Sequence, residues 1–131
     1  MKRTIAQLSL VVRDYDEAID FYVDKLGFTL IEDTPLSETR RWIVVAPSPA
    51  SECRLLLAKA SGDKQLSRVG NQTGGRVFLL LHTDDINRDI LQLKEKAVKI
   101  VRPPSREVYG TVAVFEDLYG NLWDLIQPAN S

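Results

Sequence analysis

Two residues of types that often carry chemistry occur once each in this chain, His82 and Cys53. Histidine changes charge near neutral pH, so His82 could act as a base or as a metal ligand. The alternative, which we favour, is a histidine at a strand end that bonds to the following turn, where Asp84 and Asp85 lie. A single cysteine at the start of an apolar strand is usually a small core residue, so Cys53 is interpreted as structural.

Acid–base chemistry would combine His82 with a carboxylate or a phenol, and the candidates are Asp124 and Tyr109. Asp124 has a second interpretation, in which it accepts from a backbone amide or pairs with an arginine. The arginines considered for this pairing are Arg40, Arg41 and Arg76. If Asp124 is partly buried and no cation compensates, burial should raise its pKa.

The segments that must position these side chains occur twice. Residues 8–14 read LSLVVRD, and residues 79–85, at an offset of 71, read LLLHTDD. Each copy predicts an apolar strand, an acidic helix start and a helix, followed by a short β-rich run that ends in proline. The period is too long for a solenoid repeat. We therefore predict one domain of two βαβββ modules sharing a core, with module one at 1–60, a polar connector at 61–75 and module two at 76–131.

Local signals set the expected element bounds. Asp14 is predicted to cap the first helix and Gly27 to end it, and Asp84 or Asp85 is predicted to cap the second. By alternation, Trp123 points away from Asp124 and should pack under a helix. The predicted strands are 4–12, 28–32, 41–46, 54–58, 77–81, 99–101, 111–115 and 121–127.

Composition narrows the classes of partner. The chain has 131 residues, with 17 basic against 18 acidic side chains and a net charge of −1. It contains no basic run that would follow a phosphate backbone, so nucleic acid is not an expected partner. The apolar stretch near the amino terminus is too short and too polar for a secretory segment or a membrane span. One cysteine cannot form an intrachain disulfide, and the expected location is the cytoplasm.

Two stretches resemble a known family. They are residues 10–28, with LVVRD at 10–14 and LGF at 26–28, and residues 115–125, which read FEDLYGNLWDL. This pattern is similar to the vicinal oxygen chelate superfamily, which includes glyoxalase I, extradiol dioxygenases, fosfomycin-resistance proteins and bleomycin-binding proteins. The resemblance implies an α+β, glyoxalase-like fold in which two βαβββ modules are related by a pseudo-twofold axis and form a concave sheet pocket. It also implies a divalent metal in that pocket and a homodimer.

Only some of the positions at which the resemblance implies metal ligands hold a residue that can bind a metal. The first-strand ligand falls on Gln7, and the offset of 71 carries it to Phe78, which cannot ligate a metal. The closing-strand ligand falls on Asp124, and its counterpart in module one is Leu56. Catalytic sites for transition metals usually have three protein ligands that include imidazole or carboxylate. Gln7 and Asp124 are therefore only weak metal candidates, and we expect no metal cofactor.

The expected ligand pocket is aromatic. A small-molecule site is mostly apolar with a few polar groups. Trp42 on the third strand, and Tyr109 and Thr111 on one face of the seventh strand, are interpreted as candidate lining residues. The predicted ligand-binding set is Gln7, Trp42, Phe78, Tyr109, Thr111 and Asp124.

The sequence is consistent with two functions. The first is a metal-free protein that binds a small aromatic or carboxylate-bearing molecule, as resemblance to the bleomycin-binding branch implies. The second is an enzyme of lyase, isomerase or dioxygenase type, which would use an atypical metal site or the acid–base candidates Asp124, His82 and Tyr109. A fold of this kind hosts many chemistries, so the site must decide between them.

Overall fold

The computed structural model describes residues 1–130. Its strands are β1 (Gln7–Val12), β2 (Thr29–Pro35), β3 (Arg41–Ala46), β4 (Arg54–Lys59), β5 (Val77–His82), β6 (Ile100–Glu107), β7 (Gly110–Glu116) and β8 (Leu122–Pro128). Its helices are α1 (Tyr15–Ile19), which continues as a π-helical turn (Asp20–Lys25), α2 (Gly62–Leu66) and α3 (Ile86–Glu95).

The chain forms two compact units, Met1–Val69 and Gly70–Ser131. Each unit holds one four-stranded mixed sheet, with strand orders β1-β4-β3-β2 and β5-β8-β7-β6. In both sheets the first strand pairs in parallel with the last, and the other pairs are antiparallel. The predicted βαβββ pattern, present twice, is confirmed. No helix in residues 1–130 is long and apolar enough to cross a membrane.

In the first unit the helix begins and ends where local physics predicts. The Asp14 carboxylate accepts a hydrogen bond from the backbone N–H of Glu17 at 3.0 Å, which satisfies a donor that the first turn leaves unpaired. Gly27 follows the π-helical turn with a φ of +76°, a conformation that glycine adopts without steric cost. Tyr22, in the π-helical turn, is fully buried. Helix α1 contacts β3 and β4, so one face of the first sheet is covered by helix.

In the second unit α3 covers the corresponding sheet face. Asp85 caps this helix by accepting from the backbone N–H of Arg88 at 3.0 Å. The helix contacts β6 and β8. Trp123, predicted to pack under a helix, is 2 % exposed and stacks on Phe115 with ring centroids 5.9 Å apart. The Gln127 side chain accepts from the backbone N–H of Ile86 at 2.9 Å, which ties β8 to the start of α3.

The connector and the sixth strand differ most from the prediction. The connector at 61–75 was expected to be irregular, but it contains α2. Strand β6 was expected to end before Pro103, but it continues to Glu107. Because β6 is an edge strand and its register shifts between Arg102 and Ser105, the two prolines there remove no ladder hydrogen bond that the sheet needs.

A buried polar turn fixes the start of β8. The Asp117 carboxylate accepts hydrogen bonds from the backbone N–H groups of Tyr119 and Asn121 and from the Asn121 side chain, each at 2.9 Å. The Asn121 side-chain oxygen accepts in turn from the backbone N–H of Gln72 at 3.1 Å. This network attaches the segment that precedes β5 to the turn that leads into β8.

Candidate functional site

The sheet of the second unit places a carboxylate and a guanidinium group on one face. Asp124 is directly opposite Leu80 on β5 and Val114 on β7, and Val114 is opposite Arg102 on β6. Cross-strand partners point to the same side of a sheet, so these four residues form one row, which we call the Asp124 row. Two strand spacings separate Asp124 from Arg102, roughly 10 Å between their Cα atoms.

The Asp124 row lies on the face that α3 does not cover. Trp123 and Leu125, the neighbours of Asp124 on β8, belong to the helix-covered face and are 2 % and 1 % exposed. Asp124 alternates with them and is half-buried. Val114 and Ile126 beside it are also buried, and Leu80 at the sheet edge is 62 % exposed. The carboxylate therefore lies on an apolar floor next to an exposed apolar rim.

Burial controls the electrostatics of this carboxylate. Desolvation raises the pKa of Asp124 above its ordinary value, and the positive charge of Arg102 offsets part of the increase. This agrees with the direction expected for a partly buried Asp124. Arg102 lies on β6 beyond the predicted strand 99–101, so the sequence pattern does not indicate it as a partner of Asp124.

Of the arginines considered, Arg41 has other partners. Its guanidinium binds both carboxylate oxygens of Asp33, at 3.1 and 2.6 Å, and Asp16 at 2.8 Å. These two carboxylates raise the pKa of Arg41. The group also lies 5.5 Å from the centre of the Tyr15 ring. Arg41 therefore stabilises the first unit. Arg40 lines a small cleft in the same unit, and Arg76 is exposed just before β5.

His82 shares the face of the Asp124 row. It is opposite Ile126 on β8, two residues beyond Leu80 on β5, and it is exposed. The two carboxylates of the following turn have partners other than His82: Asp84 pairs with Arg88 at 3.0 Å, and Asp85 caps α3. This placement leaves the imidazole on the sheet face that Asp124 occupies, so the role of His82 in a pocket stays a prediction.

Phe78 lies where the two units differ. In the first unit the ladder is unbroken, with Gln7 opposite Arg54. In the second unit Val77 is opposite Leu122 and Leu79 is opposite Trp123, so Phe78 is the extra residue of a bulge. Its ring lies edge-on to the Trp123 ring, with centroids 6.0 Å apart. Because of this bulge, alternation along β5 does not put Phe78 on the face of Leu80 and His82, and contact of the Phe78 ring with a ligand stays a prediction.

Tyr109 and Thr111 lie apart from the Asp124 row. Tyr109 was expected on the seventh strand, but it lies in the two-residue turn between β6 and β7 and is 58 % exposed. Thr111 is opposite Gln127. Since the Gln127 side chain bonds to the start of α3, this pair belongs to the helix-covered face. The structure therefore does not bring Tyr109 or Thr111 together with Asp124.

Gln7 and Trp42 lie in the first unit. Register and alternation put both on the sheet face away from α1, together with Leu56. Trp42 is 37 % exposed and is opposite Thr34 on β2. The shared face agrees with the predicted grouping of Gln7 with Trp42.

The strand registers also show which residues lie at the expected metal-ligand positions. Ser9 is opposite Leu56 in the first sheet, and Leu80 is opposite Asp124 in the second. The offset of 71 links Ser9 to Leu80, so Leu56 is the positional counterpart of Asp124, as predicted. At the expected ligand positions each unit thus supplies one oxygen donor, Gln7 or Asp124. Within residues 1–130 no three His, Cys, Asp or Glu side chains are grouped to hold a metal. The donor set therefore does not fit the metal that the resemblance implies.

Comparisons with known proteins agree with this architecture. An uncharacterised protein of Shewanella frigidimarina (strain NCIMB 400) is 59 % identical over 128 residues, which cover 97 % of this chain and 95 % of that protein. The crystal structure of UcmS2 has a TM-score of 0.83 and 27 % identity, covering 96 % of this chain and 98 % of that one. TnmS3, described as an antibiotic binding protein from Streptomyces sp. CB03234, has a TM-score of 0.78 and 31 % identity, with 98 % of each chain covered.

The family model described as Glyoxalase/Bleomycin resistance protein/Dioxygenase superfamily matches residues 4–125. This match spans both sheets and both ends of the resemblance noted in the sequence. The chain belongs to the Glyoxalase/Bleomycin resistance protein/Dioxygenase superfamily.

Proposed function

We propose that this protein binds a small organic molecule on the sheet face of the Asp124 row, without a metal. The observation that carries the proposal is a half-buried carboxylate on an apolar floor, with its pKa raised by burial. A polar group in such a place orients a ligand whose apolar surface supplies most of the affinity. The likeness to TnmS3, an antibiotic binding protein, supports the same class of function.

The geometry of the row suggests the shape of the ligand. A flat apolar body would lie over Val114, with a hydrogen-bond donor or a basic nitrogen against Asp124. An acceptor or a carboxylate at the other end would meet Arg102, roughly 10 Å away by strand spacing. Leu80, exposed at the edge, would contact one side of the apolar body. This ligand refines the expected aromatic or carboxylate-bearing molecule by adding a donor at its opposite end.

Two leucines of nearly equal exposure, one in the row and one on α3, provide a test of where the ligand binds. Leu80 in the row is 62 % exposed, and Leu91 on α3 is 63 % exposed. A thermal-shift screen of aromatic acids, aromatic amines and antibiotics would identify ligands, and calorimetry would measure their affinities. Leu80→Ala should weaken binding roughly threefold to tenfold by removing apolar contact, and Leu91→Ala should leave the affinity unchanged. Equal affinities for both variants and the parent would place the ligand elsewhere.

Metal content checks the second half of the proposal. Each unit supplies one oxygen donor at the expected ligand positions, Gln7 or Asp124. A single amide or carboxylate is fewer than the ligands of a usual catalytic site, which supports a metal-free site. Protein purified in metal-supplemented buffer should carry well under one equivalent of divalent metal per chain. A stoichiometric metal that is lost in Asp124→Asn would overturn this half and favour a metalloenzyme.

Acid–base catalysis is the second candidate function. It is favoured by one observation, the common sheet face of His82 and Asp124. If the protein is an enzyme of this kind, ligands from the screen should be converted to product, and His82→Gln should abolish conversion while binding persists. Unchanged ligand after prolonged incubation, followed by NMR, would leave binding as the function.

The cytoplasmic location and the homodimer both stay predictions. Sedimentation of the purified chain would check the second, with twice the chain mass of 14.8 kDa expected.

A further inference from the structure

A polar cleft lies within the first unit, on residues that the proposed function does not use. It has a volume of about 160 Å³ and is lined by Tyr15, Thr39, Arg40, Lys59, Ala60 and Ser61. The lining comes from the start of α1, the loop before β3 and the segment after β4. A cavity of this size admits a small polyatomic ion or the end group of a larger molecule.

The cations that line this cleft have no carboxylate partner. In residues 1–130, neither Arg40 nor Lys59 forms an ion pair. The next residue, Arg41, is by contrast held by Asp33 and Asp16. Glu38 and Asp63 are the carboxylates nearest to these two cations along the chain, and neither lines the cleft. Asp14 and Asp16, which flank Tyr15, do not line it either, because Asp14 caps α1 and Asp16 pairs with Arg41. The cleft wall therefore carries two positive charges that a bound anion could neutralise.

Hydroxyl groups complete the donor set. Ser61 is the residue before α2, but its side chain makes no capping hydrogen bond. Its backbone N–H donates to the side-chain oxygen of Gln65 at 2.8 Å. The backbone N–H of Thr39 donates to the Ser37 hydroxyl at 3.3 Å. Within residues 1–130 the structure shows no hydrogen bond from the side-chain hydroxyl of Ser61 or Thr39, and both residues line the cleft, so both hydroxyls are available to a ligand.

Tyr15 provides a buried wall of the cleft. It is only 6 % exposed, and its hydroxyl accepts from the backbone N–H of Arg41 at 3.3 Å. The guanidinium of Arg41 lies over the ring of Tyr15. A cleft lined by two cations and two hydroxyls matches an oxyanion, because guanidinium and ammonium groups form charge-assisted hydrogen bonds to such oxygens.

We propose that this cleft binds a phosphate group, either as free inorganic phosphate or as the end group of a small organic phosphate. Arg40 would provide a planar pair of donors, Lys59 a point charge, and Ser61 and Thr39 neutral hydrogen bonds. The site is separate from the Asp124 row, so its ligand could be bound while the first site is empty.

The test is an NMR titration of the full chain with inorganic phosphate and, separately, with phenyl phosphate, at constant ionic strength. Both probes should shift the backbone amide signals of Thr39, Arg40, Ala60 and Ser61 in a saturable way. The variant Arg40→Gln with Lys59→Gln should bind roughly tenfold more weakly, since it loses two charge-assisted contacts. Ser61→Ala should weaken binding roughly threefold, since it loses one neutral hydrogen bond.

The control removes the same two side-chain types elsewhere. Lys94 and Arg106 are exposed and lie in the second unit. Lys94→Gln with Arg106→Gln makes the same change in net charge and should leave the titration unchanged. If the double variant at the cleft does not fold, Ser61→Ala and Thr39→Ala carry the test.

Two results would overturn the proposal. The first is shifts that grow with concentration and do not saturate. The second is binding of both probes that is weakened as much in the control variant as in the cleft variant, which would show general charge screening. Saturable binding of phenyl phosphate alone, lost in the cleft double variant, would assign the site to the end group of an organic phosphate, and the same binding kept in that variant would show that the phenyl ring supplies the affinity and would also overturn the proposal.

Discussion

Replacing Gly70 with alanine should destabilise the second unit much more than the same replacement at Gly74. Both glycines have positive φ, +77° and +70°. An alanine at positive φ costs about 1–2 kcal/mol in backbone strain. A Cβ at Gly74 would have nothing within 4 Å, so backbone strain is the whole expected effect there. Gly74→Ala is therefore the control for backbone conformation alone.

At Gly70 a close contact adds to the strain. A Cβ there would lie 1.9 Å from the carbonyl oxygen of Tyr119 and 2.8 Å from its carbonyl carbon. Both are backbone atoms, so no side-chain rotation can relieve the overlap, and the segment that carries Gln72 must move. Overpacking of this kind costs about 1–3 kcal/mol, and loss of the Gln72–Asn121 hydrogen bond costs about 1 kcal/mol. The total for Gly70→Ala is then about 3–6 kcal/mol.

Urea denaturation of both variants and the parent would measure these changes, with tryptophan fluorescence as the signal. If the slopes with urea agree, the midpoints convert directly to differences in the free energy of unfolding. The informative quantity is the difference between the two variants, expected to be about 2 kcal/mol or more. A difference below about 0.5 kcal/mol would refute the reasoning, because the contact with Tyr119 would then be relieved at little cost.

Local signals in the sequence predicted the parts of the fold that depend on neighbours along the chain. The Asp14 cap, the Asp85 cap and the glycine that ends the first helix follow from backbone groups within a few residues. The opposite faces of Trp123 and Asp124 follow from strand alternation over one step. The raised pKa of Asp124 follows from that placement, because burial penalises its charged form.

The errors arose where a bulge, a register shift or an unknown cross-strand partner decides the face on which a side chain lies. Phe78 is the extra residue of a bulge, so the offset of 71 from Gln7 does not by itself give the face on which its side chain lies. Arg102 was missed because two prolines normally end a strand, whereas an edge strand tolerates them at a register shift. Thr111 was assigned to the pocket without its cross-strand partner, Gln127, which identifies its face. Register of this kind depends on the partner strand, and the sequence of one strand does not contain it.

Two remaining predictions concern the second unit. Burial raises the pKa of Asp124 in the folded state above its ordinary 3.8, so the folded state holds the carboxyl proton more tightly than the unfolded state does. The tighter proton binding stabilises the folded state at low pH. This stabilisation is lost as pH rises through the folded-state pKa. Asp124→Asn cannot titrate, so its stability relative to the parent should rise as pH increases from the ordinary 3.8 through the folded-state pKa of Asp124, and a constant difference in urea midpoints would contradict the assignment. The second prediction separates two roles for Phe78, whose ring lies edge-on to Trp123 at 6.0 Å. An aromatic pair is worth about 0.5–1.5 kcal/mol beyond its buried area, so Phe78→Leu, which keeps most of that area, should cost about 1 kcal/mol. Phe78→Ala should cost about 2–3 kcal/mol because the residue is half-buried. If the ring instead served only as a surface for a ligand, both variants would unfold within about 0.5 kcal/mol of the parent and the loss would appear in ligand affinity alone.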